Sequence, residues 1–177
     1  MARACHSPKR KLNPMNSTDK IFSLPRLQEQ VSAWRSQDQK IVFTNGCFDL
    51  LHLGHVDYLE KARQLGDRLV LGLNTDASIS RIKGPDRPLQ DEMSRARIMA
   101  SLLFIDAVVL FDQNTPLELI EAVQPDILVK GDDYTVESIV GHEVVLARGG
   151  EVKTVPLVKG HSTTNIVKKI EKRFLDK

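Results

Sequence analysis

Apolar residues recur along this chain with two periods, and the two take turns. Short runs rich in Val, Ile and Leu at 40–44, 68–73, 107–111, 126–129 and 151–155 read as strands. Between them, at 54–65, 91–103, 116–123 and 136–148, apolar positions return every three or four residues, the spacing of one helix face. A last helix is predicted over 163–174. An earlier one starts at Ser23, with Pro25 near its first position and apolar residues at 24, 27, 31 and 34, and runs to about Ser36. Trp34 is expected to pack that helix onto the sheet.

Strands of this composition alternating with helices predict a parallel sheet covered on both faces. The expectation is therefore one doubly wound, mostly parallel five-stranded α/β sheet with helices on both faces. In such sheets ligands lie beyond the carboxyl ends of the strands, where the strand order reverses. Residues 1–20 read as a disordered basic tail, 21–38 as an N-terminal helix packed on the core, and 39–177 as the domain that carries the chemistry.

A length of 177 residues suits one core, and a formal net charge of +2 demands neither nucleic acid nor membrane as a partner. Apolar runs all fall short of the roughly 18 residues that suggest a membrane span, and the basic start lacks the apolar middle of a secretory signal. Cys5 and Cys47 are the only cysteines and form no CxxC pair, which favours a reducing cytoplasm. There is no Walker A loop and no G-x-G-x-x-G fingerprint.

The chemistry concentrates at strand ends. Phe48-Asp49-Leu50-Leu51-His52-Leu53-Gly54-His55-Val56 joins the first strand to a helix. Unpaired N–H groups and the positive dipole end make such a turn an anion site. Gly54 lets a phosphate approach the backbone between two imidazoles, and Gly46, Cys47 and Phe48 lie on the same turn. The rival readings are metal ligation by His52, His55 and Asp49, or simple capping; the zinc-protease pattern, however, needs H-E-x-x-H on a continuous helix. Cys47 itself is either a nucleophilic thiolate or a small residue fitted to a tight turn.

Four further stretches agree with a phosphate site. Residues 81–88 combine Gly84, Pro85 and Pro88 with Arg81, Lys83 and Arg87, as expected of a mobile loop whose cations close over a triphosphate, or of a plain solvated loop. Arg95 sits near a helix N-terminus, where a cation gains nothing from the dipole, and is expected to meet ligand. In Lys130-Gly131-Asp132-Asp133-Tyr134, Gly131 permits a sharp turn and one Asp can cap the next helix. The other Asp would accept from base or ribose, or help hold Mg²⁺ through water. Ser162, Thr163 and Thr164, after Gly160, open the last helix as a second anion cradle.

Together these pieces resemble the cytidylyltransferase-like branch of the H-x-G-H nucleotidyltransferases over about residues 39–174, and within it the adenylyltransferases acting on a heptose 1-phosphate. The stretches that carry the likeness are Phe43-Thr44-Asn45-Gly46-Cys47-Phe48-Asp49, Lys130-Gly131-Asp132-Asp133-Tyr134 and Gly160-His161-Ser162-Thr163-Thr164-Asn165-Ile166. Glycerol-3-phosphate cytidylyltransferases are similar at the histidines, but usually carry Tyr-Gly-Thr-Phe-Asp and Arg-Thr-x-Gly-Ile-Ser-Thr. The Arg of the second motif is missing here.

The resemblance implies a Rossmann-like nucleotidyltransferase fold and transfer of AMP from ATP, with Mg²⁺, to D-glycero-β-D-manno-heptose 1-phosphate. The ADP-heptose formed serves lipopolysaccharide core synthesis. His52, His55 and Lys83 are the expected catalytic residues. Gly46, Cys47, Phe48, Gly54, Arg81, Arg95, Gly131, Asp132, Ser162, Thr163 and Thr164 are expected on the nucleotide, Asn45 and Asp49 on the acceptor, and no metal site within the protein itself. A separate heptose kinase and a homodimer are the implied partners. The competing readings are a cytidylyltransferase for a polyol phosphate and a non-catalytic nucleotide-binding module.

Overall fold

The computed structural model describes residues 16–174. Its sheet has six strands, all neighbours parallel, in the order β1-β4-β3-β2-β5-β6. They are β1 Ile21–Phe22, β2 Ile41–Gly46, β3 Arg68–Asn74, β4 Ala107–Phe111, β5 Ile127–Gly131 and β6 Glu151–Val155. The helices are α1 Leu24–Arg35, α2 Leu53–Arg63, α3 Asp76–Lys83, α4 Glu92–Ala100, α5 Leu117–Val123, α6 His142–Ala147 and α7 Thr163–Phe174.

The expected fifth-strand limit is corrected to six. Ile21 and Phe22 pair with Val108 and Val109 at the sheet edge, and two residues are too few to show a period. Ser17–Lys20 form a 3₁₀ turn capped by Asn16 rather than a tail. Lys20 Nζ donates to the Leu102 carbonyl and Arg97 Nε to Ser17 Oγ, which ties that turn to the region of α4. The rest of the tail reading, 1–15, lies outside the described residues. The helix predicted over 136–148 is two pieces, a 3₁₀ turn Val136–Ser138 and α6, separated by Gly141 at φ +86°.

Alternate strand positions feed two cores, because successive side chains leave a strand on opposite faces. Phe43, Val70, Val109 and Leu128 meet Leu27, Val31 and Trp34 of α1 and Leu119, Ile120 and Val123 of α5. Val42, Leu69, Leu71, Val108 and Val129 meet Leu59 and Ala62 of α2 and Ala96, Met99 and Ala100 of α4. Trp34 packs where the pattern placed it. The chain winds from β2 through β3 to β4, then returns to β5 on the other flank of β2. The reversal falls between β2 and β5, and the Thr44 hydroxyl, the Tyr58 hydroxyl and the Val129 carbonyl bridge it (2.6 and 2.9 Å).

Candidate active site

At the end of β2 the chain turns sharply. Phe48 takes a left-handed φ of +46°, a conformation seldom held by a bulky residue and commonest where function constrains the backbone. That turn folds the Phe48 ring back over Gly46, where a Cβ would stand 2.8 Å from it. His52, in extended conformation, is the N-cap of α2, and His55 lies in the first turn. Their rings stack with centroids 3.7 Å apart, and Phe48 closes the other side of His55 at 4.9 Å. Gly54 makes the stack possible. A Cβ there would lie 3.1 Å from the His52 ring and 3.4 Å from His161 Cβ.

Burial pushes the His55 imidazole down to about 4, with the neighbouring His52 and Lys83 adding to it. His52 is also lowered, by burial first and then by His161. Both rings are therefore neutral at pH 7 and act as hydrogen-bond donors rather than as cations. The Nδ1 atoms of both are buried with no hydrogen-bond partner among the described residues. Leaving such atoms unmet costs about 1–3 kcal/mol each, a cost expected where a ligand completes the set.

The imidazoles open on a cavity of about 370 Å³ at the point of strand reversal. From β2 and its turn it receives Asn45, Gly46, Cys47, Phe48, Asp49 and Gly54; Lys83 enters from the end of α3. On the opposite flank stand Lys130, Gly131, Asp133 and Tyr134 after β5, and Leu157, Val158, His161 and Thr163 after β6. A wall that presents the neutral imidazoles of His52 and His55, the Thr163 hydroxyl and two lysines suits a phosphorylated ligand. The exposed Tyr134 and Leu157 offer apolar surface for a planar base.

Several expected residues are placed elsewhere. Arg95 is 1% exposed, and its guanidinium donates to the carbonyls of Gln90, Cys47 and Asn74 and to Asp76 Oδ1 at 2.7–3.0 Å. It is a strut that holds the ends of β2 and β3 together and does not line the cavity. Arg81 is on α3, not on a loop, and its guanidinium turns to Asp112 and Asn114, away from the cavity. Asp132 accepts from the Leu157 N–H at 3.2 Å and latches the end of β6, leaving Asp133 as the carboxylate that lines the cavity. Ser162 Oγ accepts from the Asn165 N–H as a helix cap, and Thr164 is exposed outside the cavity.

Asp49 lines the cavity, yet its carboxylate is engaged. It accepts from the N–H groups of Leu89 and Gln90 (2.8 and 3.0 Å) and from Arg87 (3.0 Å). Burial alone would raise its pKa; these donors outweigh burial and hold it below the ordinary value. These bonds fasten residues 87–90 to the histidine turn. The segment expected to be mobile is thus anchored at 87–90, and its first part is the end of α3.

Lys130, Asp133, Tyr58, Tyr134, Leu157, Val158 and His161 line the cavity without having been singled out as site residues. For Lys130 a signal existed: a lysine directly after the buried run Ile127-Leu128-Val129 is an anomaly in a strand. For Leu157 and Val158 none did.

The described residues contain no group of three or more His, Cys, Asp or Glu placed to hold a metal. With Asp49 engaged, Asp133 is the cavity's free carboxylate. That donor set fits Mg²⁺ carried in by a triphosphate, which keeps several waters and needs few protein ligands. No helix among the described residues is long and apolar enough to cross a membrane.

Residues 43–169 match the model of the cytidylyltransferase-like family. The "bifunctional protein HldE" of Magnetococcus marinus is 59% identical over 153 residues, which cover 86% of this chain and 31% of that one. The protein of the same name from Trichlorobacter lovleyi is 54% identical over 165 residues, 93% of this chain and 34% of that one. The chain thus spans about a third of the length of these curated relatives. Among solved structures, a lipopolysaccharide core biosynthesis protein from Thermoplasma volcanium superposes with a TM-score of 0.55 at 32% identity, over 70% of this chain and 99% of that one. Pantothenate synthetase from Thermus thermophilus shares the fold, with a TM-score of 0.57 at 17% identity over 83% of this chain and 67% of that one.

Proposed function

The chain belongs to the cytidylyltransferase-like family, and from that premise we propose that it transfers AMP from ATP to a sugar 1-phosphate, D-glycero-β-D-manno-heptose 1-phosphate by its motifs. The observation that carries this reading is the stacked, neutral His52–His55 pair opening on a cavity whose far wall ends in Thr163 at the start of α7. The Asn45–Asp49, Lys130–Tyr134 and Gly160–Ile166 stretches favour the heptose acceptor. The likeness to the lipopolysaccharide core biosynthesis protein of Thermoplasma volcanium agrees with it.

The reaction is a direct in-line displacement. A phosphate oxygen of the sugar 1-phosphate forms a bond to the α-phosphorus of ATP. The bond from that phosphorus to the bridging oxygen breaks, and pyrophosphate leaves with the electron pair. The attacking oxygen is already ionised at neutral pH, so the enzyme's task is positioning and charge stabilisation. His52 and His55 donate N–H groups to phosphate oxygens as charge builds. Thr163 and the α7 N-terminus hold the leaving pyrophosphate, and Lys83 balances its charge. Mg²⁺ bound with ATP would lower the charge of the triphosphate, and Asp133 is the carboxylate that would hold it through water. A sugar kinase activity is the class of reaction that supplies the acceptor, and a homodimer is the proposed assembly.

The test is incubation of the protein with ATP or CTP and a panel of sugar and polyol phosphates, reading pyrophosphate and nucleotide-sugar. ADP-heptose from ATP is the expected product. Preference for CTP with glycerol 3-phosphate, or no turnover with any pair, overturns the reading.

A further inference from the structure

Lys130 stands at the end of β5, one strand across from β2, where the winding reverses. Its ammonium donates to the carboxamide oxygen and to the backbone carbonyl of Asn45, at 2.5 and 3.2 Å. An ammonium carries three N–H donors. The third has no protein acceptor among the described residues, and the side chain lines the cavity. No carboxylate forms an ion pair with it among the described residues.

Keeping a largely buried ammonium without a paired anion is costly, and a protein holds one where a ligand supplies the anion. The alternatives are few. Arg81, Arg87 and Arg95 are bonded to Asp112, Asp49 and Asp76, and both imidazoles are neutral. Lys83 at one wall and Lys130 at the other are thus the lysines that line the cavity, and neither forms an ion pair among the described residues.

We propose that Lys130 is a catalytic residue whose third N–H meets a phosphate oxygen of the substrates, with Asn45 aiming it from β2. The proposal rests on the nucleotidyl-transfer reading above. The charged and titratable groups around the ammonium are Asp133 and Tyr134 on its own loop, Cys47 on the turn after β2, Tyr58 on α2 and His161 ahead of α7. Burial pushes its pKa down to about 8, against smaller opposing effects of Cys47 and Asp133. The charge is thus present at neutral pH and lost in mild alkali.

The experiment compares wild type, Lys130→Met and Lys130→Arg in the full chain. Calorimetric binding of α,β-methylene-ATP is measured near pH 7 and near pH 9.5, either side of that titration, together with kcat and KM for both substrates. The expected result is a loss of about 10² in kcat/KM in Lys130→Met, the size of one lost oxyanion donor, with partial recovery in Lys130→Arg. If the contact is to the nucleotide, analogue binding weakens about tenfold in Lys130→Met, and in wild type at the higher pH. If it is to the sugar phosphate, analogue binding holds and the KM for the acceptor rises. Unchanged binding and rate with only a lower melting point would overturn the proposal, as would an alkaline limb that persists in Lys130→Met. Should Lys130→Met fail to fold, wild-type binding and rate that are level from near pH 7 to near pH 9.5 overturn it equally. Analogue binding by wild type without ADP-sugar formation would instead count against the acceptor reading and leave the nucleotide arm in force.

Discussion

His52 and His55 hold their imidazole planes 21° from parallel with 3.7 Å between centroids, and a proton on either ring disfavours a proton on the other. Unfolded, each ring titrates near its ordinary value; folded, His55 does so at about 4. Between those values the unfolded chain binds more protons than the folded one. Stability is then full above about pH 6.5 and declines as pH falls toward 4. Urea midpoints taken from pH 7.5 down to 4.5 should show this slope, and His55→Asn should flatten it. His55→Ala should also lower turnover by about 10² while ATP still binds within several-fold. Near-normal turnover would remove His55 from the mechanism.

Ser162 and Thr163 are neighbours with different duties. Ser162→Ala removes a cap and should cost about 1 kcal/mol of stability with little change in ATP affinity. Thr163→Val keeps shape and removes the hydroxyl that faces the cavity, so ATP affinity and inhibition by pyrophosphate should weaken together. Thermal melts and product-inhibition constants separate the two, and identical behaviour of both variants would make Thr163 a cap as well.

Lys83 reaches the cavity from the last turn of α3. Lys83→Met should reduce the single-turnover rate more than equilibrium ATP binding, because the charge it meets grows as the bond breaks. Equal losses in the two quantities would assign Lys83 to ground-state binding alone.

Arg95 should matter to folding first. Arg95→Met leaves the buried carbonyl of Asn74 and the part-buried one of Cys47 without this donor, at about 1–3 kcal/mol each, whereas its ion pair adds less because Asp76 is 40% exposed. Denaturant titration should show a loss of about 3 kcal/mol. Activity measured below the melting transition should fall too, since those carbonyls set the ends of β2 and β3. A variant of wild-type stability would refute the strut.

The layers of the fold were legible because β2 to β5 and helices such as α1 and α2 bury apolar side chains at regular spacing, which writes a period into the sequence. β1 is two residues long and α3 lacks a long apolar stripe, so neither left such a trace. The histidine turn was legible because its residue types are dictated by close local packing, as at Gly54, where a Cβ would crowd the His52 ring. Arg81 and Arg95 were misplaced, and Asp49 reached the cavity with its carboxylate already engaged, for a shared reason. A charged residue near phosphate-like motifs reads the same whether its partner is a ligand or a distant backbone group, and only tertiary structure brings Cys47 and Asn74 to Arg95 or Leu89 to Asp49. Asp132 and Asp133 differ solely in which way the loop turns them.

The seam between β2 and β5 separates the site into two inheritances. The imidazoles and Lys83 descend from the segment that builds β2, β3 and α3, while Lys130, Tyr134, Leu157 and Thr163 descend from the segment that builds β5, β6 and the start of α7. The width of the cavity is therefore set by how β2 pairs with β5, Val42 against Ile127 and Phe43 against Leu128. A shift of that register would part the two walls and leave each with half of a site.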